Sequence, residues 1–99
     1  MEIQEILSDY IASVRDQILR NGGDDEIIMN SVTFRALIAF FVQAARRVKD
    51  RFGPEYSVEN FNTVLTPLFD SIQLAKLSGT SQAKIIDYLE KHFKGEFQV

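Results

Sequence analysis

SVTFRALIAFFVQAARRVKDRF, residues 31–52, carries apolar side chains at Phe34, Leu37, Ile38, Phe41, Ala45, Val48 and Phe52. Steps of three and four residues bring these onto one side of an α-helix, whereas a strand would scatter them over both faces. The apolar arc is wider than a single helix contact needs, because Phe40 and Ala44 extend it to one side. That width has two readings. The helix is the central element and touches two neighbours, or it keeps an apolar flank for another subunit. Arg35, Gln43, Arg46, Arg47 and Asp50 form the opposite stripe and are expected to face water. Gly53-Pro54 breaks the helix, since proline donates no backbone hydrogen bond.

Working back from this helix, Ile3, Ile6, Leu7, Tyr10, Ile11, Val14 and Ile18 repeat the same spacing and predict an amphipathic helix from Ile3 to Leu19. Asn21-Gly22-Gly23 ends it, because glycine takes the left-handed conformation that closes a helix C-terminus without steric cost. Asp24-Asp25-Glu26 then offers capping oxygens and negative charge to a following turn, in which Ile27-Ile28-Met29 cover the end of the bundle.

Working forward, Ser57 caps a third helix whose apolar positions run through Val58, Phe61, Val64, Leu65, Leu68, Phe69, Ile72, Ala75 and Leu77. Pro67 interrupts its hydrogen-bond ladder, so the segment is either one kinked helix or two shorter ones. Ser78-Gly79-Thr80-Ser81 makes the next turn. Gln82 to Phe93 forms the last helix, with Ile85, Ile86, Leu89 and Phe93 inward, and Gly95 ends it, leaving Glu96 to Val99 as an extended tail. The expected fold is all-α: residues 1–99 as a single domain, a compact bundle of four main helices, the third kinked or broken at Pro67.

Composition narrows the function classes. The chain is 45% hydrophobic with eight phenylalanines, outside the regime of disordered proteins. It has no cysteine, which removes disulfide frameworks, zinc fingers, iron–sulfur clusters and thiol nucleophiles. His92 is the single histidine, with Lys91 and Lys94 beside it, and reads as a solvated side chain. No nucleophile elbow, Walker loop or dinucleotide fingerprint occurs. No catalytic residue, metal site or cofactor is therefore expected. The acidic start Met-Glu-Ile-Gln-Glu lacks the basic region of a secretory signal, and no apolar run approaches the ~18 residues of a membrane span. The expectation is a cytoplasmic protein without membrane partners.

Charge alternates in sign along the chain. Met1 to Asn30 has seven acids against Arg15 and Arg20; Ser31 to Gly53 has Arg35, Arg46, Arg47, Lys49 and Arg51 against Asp50; the remainder is mildly acidic. Such alternation suits neighbouring helices that avoid like-charge repulsion.

The run LAKLSGTSQAKIIDYL, within Ser71 to Glu90, resembles the repressor-type helix-turn-helix over about a fifth of the chain. Ala75 matches the small residue of the first helix, Gly79 the turn, and Leu74 and Ile85 the core contacts. The resemblance implies a DNA-binding regulator in which Ser81, Gln82 and Lys84 contact the duplex. At two further contact positions the chain departs from the pattern: Asp87 would repel phosphates, and Ile86 stands where a polar residue is customary. Thr80 likewise replaces an apolar residue. The first expectation is accordingly a non-enzymatic protein–protein interaction module, an adaptor, regulator or inhibitor subunit that presents a helical face as a monomer or homodimer. Phe40 is its expected apolar contact, with Arg46 and Arg47 as a basic rim for an acidic partner. DNA binding through the helix-turn-helix is the alternative.

Overall fold

In the computed structural model, which describes residues 3–96, each α-helix after the first begins where a short polar side chain supplies the hydrogen bond its first turn lacks. Asp24 accepts from the Glu26 N–H and starts α2 (Asp25–Met29). Asn30 accepts from the Val32 and Thr33 N–H groups and starts α3 (Ser31–Phe52). Ser57 accepts from the Asn60 N–H and starts α4 (Val58–Ser71), and Ser81 accepts from the Lys84 N–H at the head of α5 (Gln82–Glu96). These are the donors that a helix N-terminus leaves unsatisfied. The first helix, α1 (Ile3–Arg20), closes as its sequence predicts: Gly22 has φ +89°, its N–H bonds the Leu19 carbonyl, and the Gly23 N–H reaches back to Ile18.

The helices form an all-α bundle. α1 packs chiefly on α4, while α3 packs on α5 and α4. One core runs through the middle, built from Tyr10, Val14 and Ile18 of α1, Leu37, Phe40 and Val48 of α3, Phe61, Leu65 and Phe69 of α4, and Ile85, Leu89 and Phe93 of α5. Ile27 and Ile28 of α2 pack on its edge as expected, whereas Met29 points away and is 79% exposed.

The third predicted helix differs in one respect. α4 runs through Pro67 without a break, and the chain leaves the helix at Ile72, whose backbone is extended. Leu74–Leu77 then form a separate four-residue 3₁₀ turn, tied to α3 by the Thr33 hydroxyl, which donates to the Leu77 carbonyl. α5 in turn continues past Gly95 to Glu96. The tail expected at Phe97 to Val99 lies outside the described residues.

Two polar connections hold α1 in place. Along α4, Ser13 donates to Asn62 at 2.6 Å, Gln17 donates to Asn62 and to Thr66 at 3.1 and 3.0 Å, and Arg20 pairs with Asp70 at 3.2 Å. Toward α3, the Tyr10 hydroxyl donates to the Leu37 carbonyl at 2.7 Å, and its ring meets Phe41 and Phe61 edge-on at 5.2 and 5.5 Å. Complete burial pushes the Tyr10 phenol far above tyrosine's ordinary 10.0.

The folded state therefore keeps the Tyr10 proton while the unfolded chain loses it above about pH 10, and stability falls as pH rises beyond that point, by up to about 1.4 kcal/mol per pH unit. Tyr10→Phe should lose about 1 kcal/mol near pH 7, where only the hydrogen bond is missing. Its stability should approach that of wild type as alkali is added, as measured by urea unfolding at about pH 7 and about pH 11. Parallel pH curves for the two proteins would show that Tyr10 does not govern the alkaline limb.

Candidate functional site

Tyr10 bridges α1 and α3 and keeps them from closing on each other, and a groove runs over the bridge. Its floor and walls are Leu7, Ser8, Ile11, Ala12 and Arg15 of α1 with Phe34 and Ile38 of α3, around a volume of about 400 Å³. Leu7, Ile11 and Ile38 are half-buried, Phe34 is 39% exposed, and Val42, one helical turn beyond Ile38, is 53% exposed. Phe34, Ile38, Val42 and Arg46 stand four residues apart and so form one continuous ridge. The small side chains of Ser8 and Ala12 keep the α1 wall low. At one end the groove is closed by Arg15, held by Asp25 through two contacts of 2.8 and 3.1 Å.

The margins of the groove are charged. Ser8 also lines a polar depression with Gln4, Glu5 and Asp9, so the α1 margin is acidic, and Asp9 lies between it and a second depression with Glu55 and Glu59 on the α4 side. Arg35, Arg46 and Lys49 are exposed on α3. Neither of the ion pairs found among the described residues uses these three cations or Glu5 and Asp9.

The sequence-predicted contact set is split up by the structure. Phe40 is a core residue, 1% exposed, packed edge-on against Phe93 at 5.1 Å, and it presents nothing to a partner. The correction has a local cause. Ala36 and Ala44, a turn either side of Phe40 and fully buried, are small enough to let α5 approach this side of α3, so the apparent flank became the inner face. Arg47 is half-buried, its guanidinium 4.1 Å from the centre of the Phe93 ring. Burial lowers its pKa against the opposing pull of Asp50. Arg46 alone of the three lies exposed beside the apolar ridge, and it shares a shallow 190 Å³ depression with Gln43, Arg47, Asp50 and Phe93.

Ser81, Gln82 and Lys84 are brought together and exposed at the start of α5. Ser81 is the cap of that helix, and the stretch before it is a short 3₁₀ turn on which Ala75 is exposed, where the resemblance implies a full helix with Ala75 against its partner. His92 is half-buried with its ring 4.7 Å from Tyr88. Among the described residues no three His, Cys, Asp or Glu side chains converge as metal ligands, and no helix is long and apolar enough to cross a membrane.

The comparisons with known proteins add no analogue: no family model, no curated protein and no solved structure matches the chain.

Core and groove separate by mutation. Phe40→Ala should lower stability by about 3–5 kcal/mol, the range for removing a buried phenylalanine. Val42→Asp should change it by less than about 0.5 kcal/mol, as for an exposed helix position. Urea unfolding followed by circular dichroism measures both, and comparable losses for the two variants would place Val42 in the core.

Proposed function

We propose that this chain is a non-enzymatic protein-interaction module of the cytoplasm, an adaptor, regulator or inhibitor subunit whose contact surface is the α1–α3 groove. The observation that carries this reading is the groove itself: two helices held apart over a buried tyrosine, walled by Leu7, Ile11, Phe34 and Ile38, with Val42 exposed on the same ridge. A trough of this form, lined at three- and four-residue steps, accepts the apolar face of another helix. Scattered apolar side chains on a surface need no explanation, but four of them along one trough, with Val42 exposed a turn beyond, form a patch that water solvates poorly. Arg46 at the end of the ridge supplies a charged rim, which sets partner choice and encounter rate more than affinity. A cysteine-free composition accords with a reducing compartment.

DNA binding is less well supported. Gln82 and Lys84 are exposed, but Ser81 is engaged as a cap and the segment before it supplies no helix to brace the second against a duplex.

Affinity capture on tagged wild-type chain from the cells that make it, with mass spectrometry of what is retained, tests the reading. Val42→Asp should strip at least one retained protein, the untagged chain itself counted among them, while Gln82→Glu on the far side should strip none. Identical retention by wild type and Val42→Asp would sink the groove as a contact surface.

A further inference from the structure

We infer that the occupant of the α1–α3 groove is a second copy of this chain, paired about a twofold axis that runs along the groove and lays α1 of each protomer over α3 of the other. This rests on the groove being the interaction surface, and it names the partner.

Geometry admits two ways of facing the groove onto itself by a twofold. α1 and α3 run antiparallel along it, Arg15 beside Phe34 at one end and Tyr10 reaching Leu37 and Phe41 further along. An axis parallel to the helices sets α1 against the partner's α3. An axis across the helices sets α1 against α1 and α3 against α3.

Charge decides between them. With the axis along the groove, Glu5 and Asp9 near the start of α1 face the C-terminal half of the partner's α3, where Arg46 and Lys49 are exposed. At the other end the acids Asp24, Asp25 and Glu26, which lead into α2, come level with Arg35 near the start of the partner's α3. Each contact occurs twice by symmetry, so the patch is self-complementary, as an isologous interface requires. The crossed axis instead runs the partner's α3 antiparallel over α3, which sets Arg46 against the half that carries Arg35 and takes Glu5 and Asp9 away from Arg46 and Lys49. Only the first arrangement sets the acids of α1 against Arg46 and Lys49, so charge complementarity favours it.

Size is sufficient. α1 has 18 residues, about 27 Å of helix, and two helices side by side are about 20 Å across. Pairing such faces covers on the order of 550 Å² on each protomer, about 1,100 Å² together, just above the roughly 1,000 Å² that marks a specific interface. The association is expected to be reversible in a sedimentation experiment, with an apolar centre at Ile38 and Val42 and a charged rim that weakens as salt is added.

Sedimentation equilibrium on the full chain tests this at low and high salt. Wild type should dimerise, and Val42→Asp should be a folded monomer by circular dichroism. Arg46→Glu with Lys49→Glu should weaken the dimer at least tenfold, because the new acids meet Glu5 and Asp9. Adding Glu5→Lys and Asp9→Lys to that chain should restore it. An α3 reversal that leaves the dimer unchanged or strengthens it overturns the arrangement. A dimer that survives Val42→Asp overturns the surface. Wild type that stays monomeric at every concentration, while Val42→Asp still strips a different protein in the capture experiment, overturns the second copy as occupant and leaves the interaction reading standing.

Discussion

A phenol hydroxyl buried without an acceptor would cost several kilocalories per mole, and the position of α1 in this bundle follows from how that cost is avoided. Tyr10 is fully buried, and its hydroxyl reaches the carbonyl of Leu37 in the N-terminal half of α3. A helix-interior carbonyl already serves the fourth residue on, but it keeps a second lone pair, so the bond breaks nothing. The consequence is spatial. A side chain that must touch the backbone of a neighbouring helix with its tip fixes the separation of the two helices at about its own length. Phe41 and Phe61 close around the ring, and the space above it remains open as the groove.

Rotation of α1 about its own axis is fixed elsewhere. Ser13, Gln17 and Arg20 lie along one side of α1, and Asn62, Thr66 and Asp70 along one side of α4, so three successive turns of each helix exchange polar contacts. Apolar packing alone tolerates a helix sliding or turning by a fraction of a turn, because dispersion has little direction. A buried amide has direction, and displacing α1 by one residue would leave Gln17 and Asn62 unpaired. With α1 clamped in this orientation, Leu7, Ile11, Ser8 and Ala12 can only face α3 across the gap. Gly23 sets the upper end of the same arrangement. A Cβ there would fall within 2.7 to 2.8 Å of Ile18, Ile27 and Leu74, so the chain turns tightly into α2 and delivers Asp25 to Arg15.

Much of this architecture is legible in the sequence because it is local. The period of the apolar residues, the capping residues Asp24, Ser57 and Ser81 and the glycine at position 22 act over a few residues, and each does in the structure what its chemistry predicts. What the sequence leaves open is which edge of a wide apolar arc turns inward. On α3 the arc from Phe34 to Phe40 offers two faces of similar hydropathy, and the choice falls to α5, some forty residues further on, which packs where Ala36 and Ala44 let it come close. Phe40 is thereby buried and Phe34 and Val42 remain at the surface. The groove had a faint local signal in Ser8 and Ala12, small residues one turn apart beside Leu7 and Ile11. The break at Ile72 had none: Thr33 and Leu77 fix it from 44 residues apart.

The groove and the core therefore draw on the same apolar arc, and that sharing explains why α3 is wider than one neighbour requires. A helix that only filled a core would carry polar residues from Phe34 to Val42 on its outer edge. A helix that only docked a partner would have no reason to bury Phe40 and Leu37 completely. α3 carries both kinds of edge, the inner one satisfied by α4 and α5 and the outer one left half-covered by an α1 that Tyr10 holds at a distance. Basic residues follow the outer edge and acids follow the facing edge of α1, so the uncovered strip is bordered by opposite charges that the fold itself keeps apart. Within one chain those borders gain little from each other across the open trough. In the inferred pairing they would instead meet the same surface turned through a half circle, which presents them in reverse order.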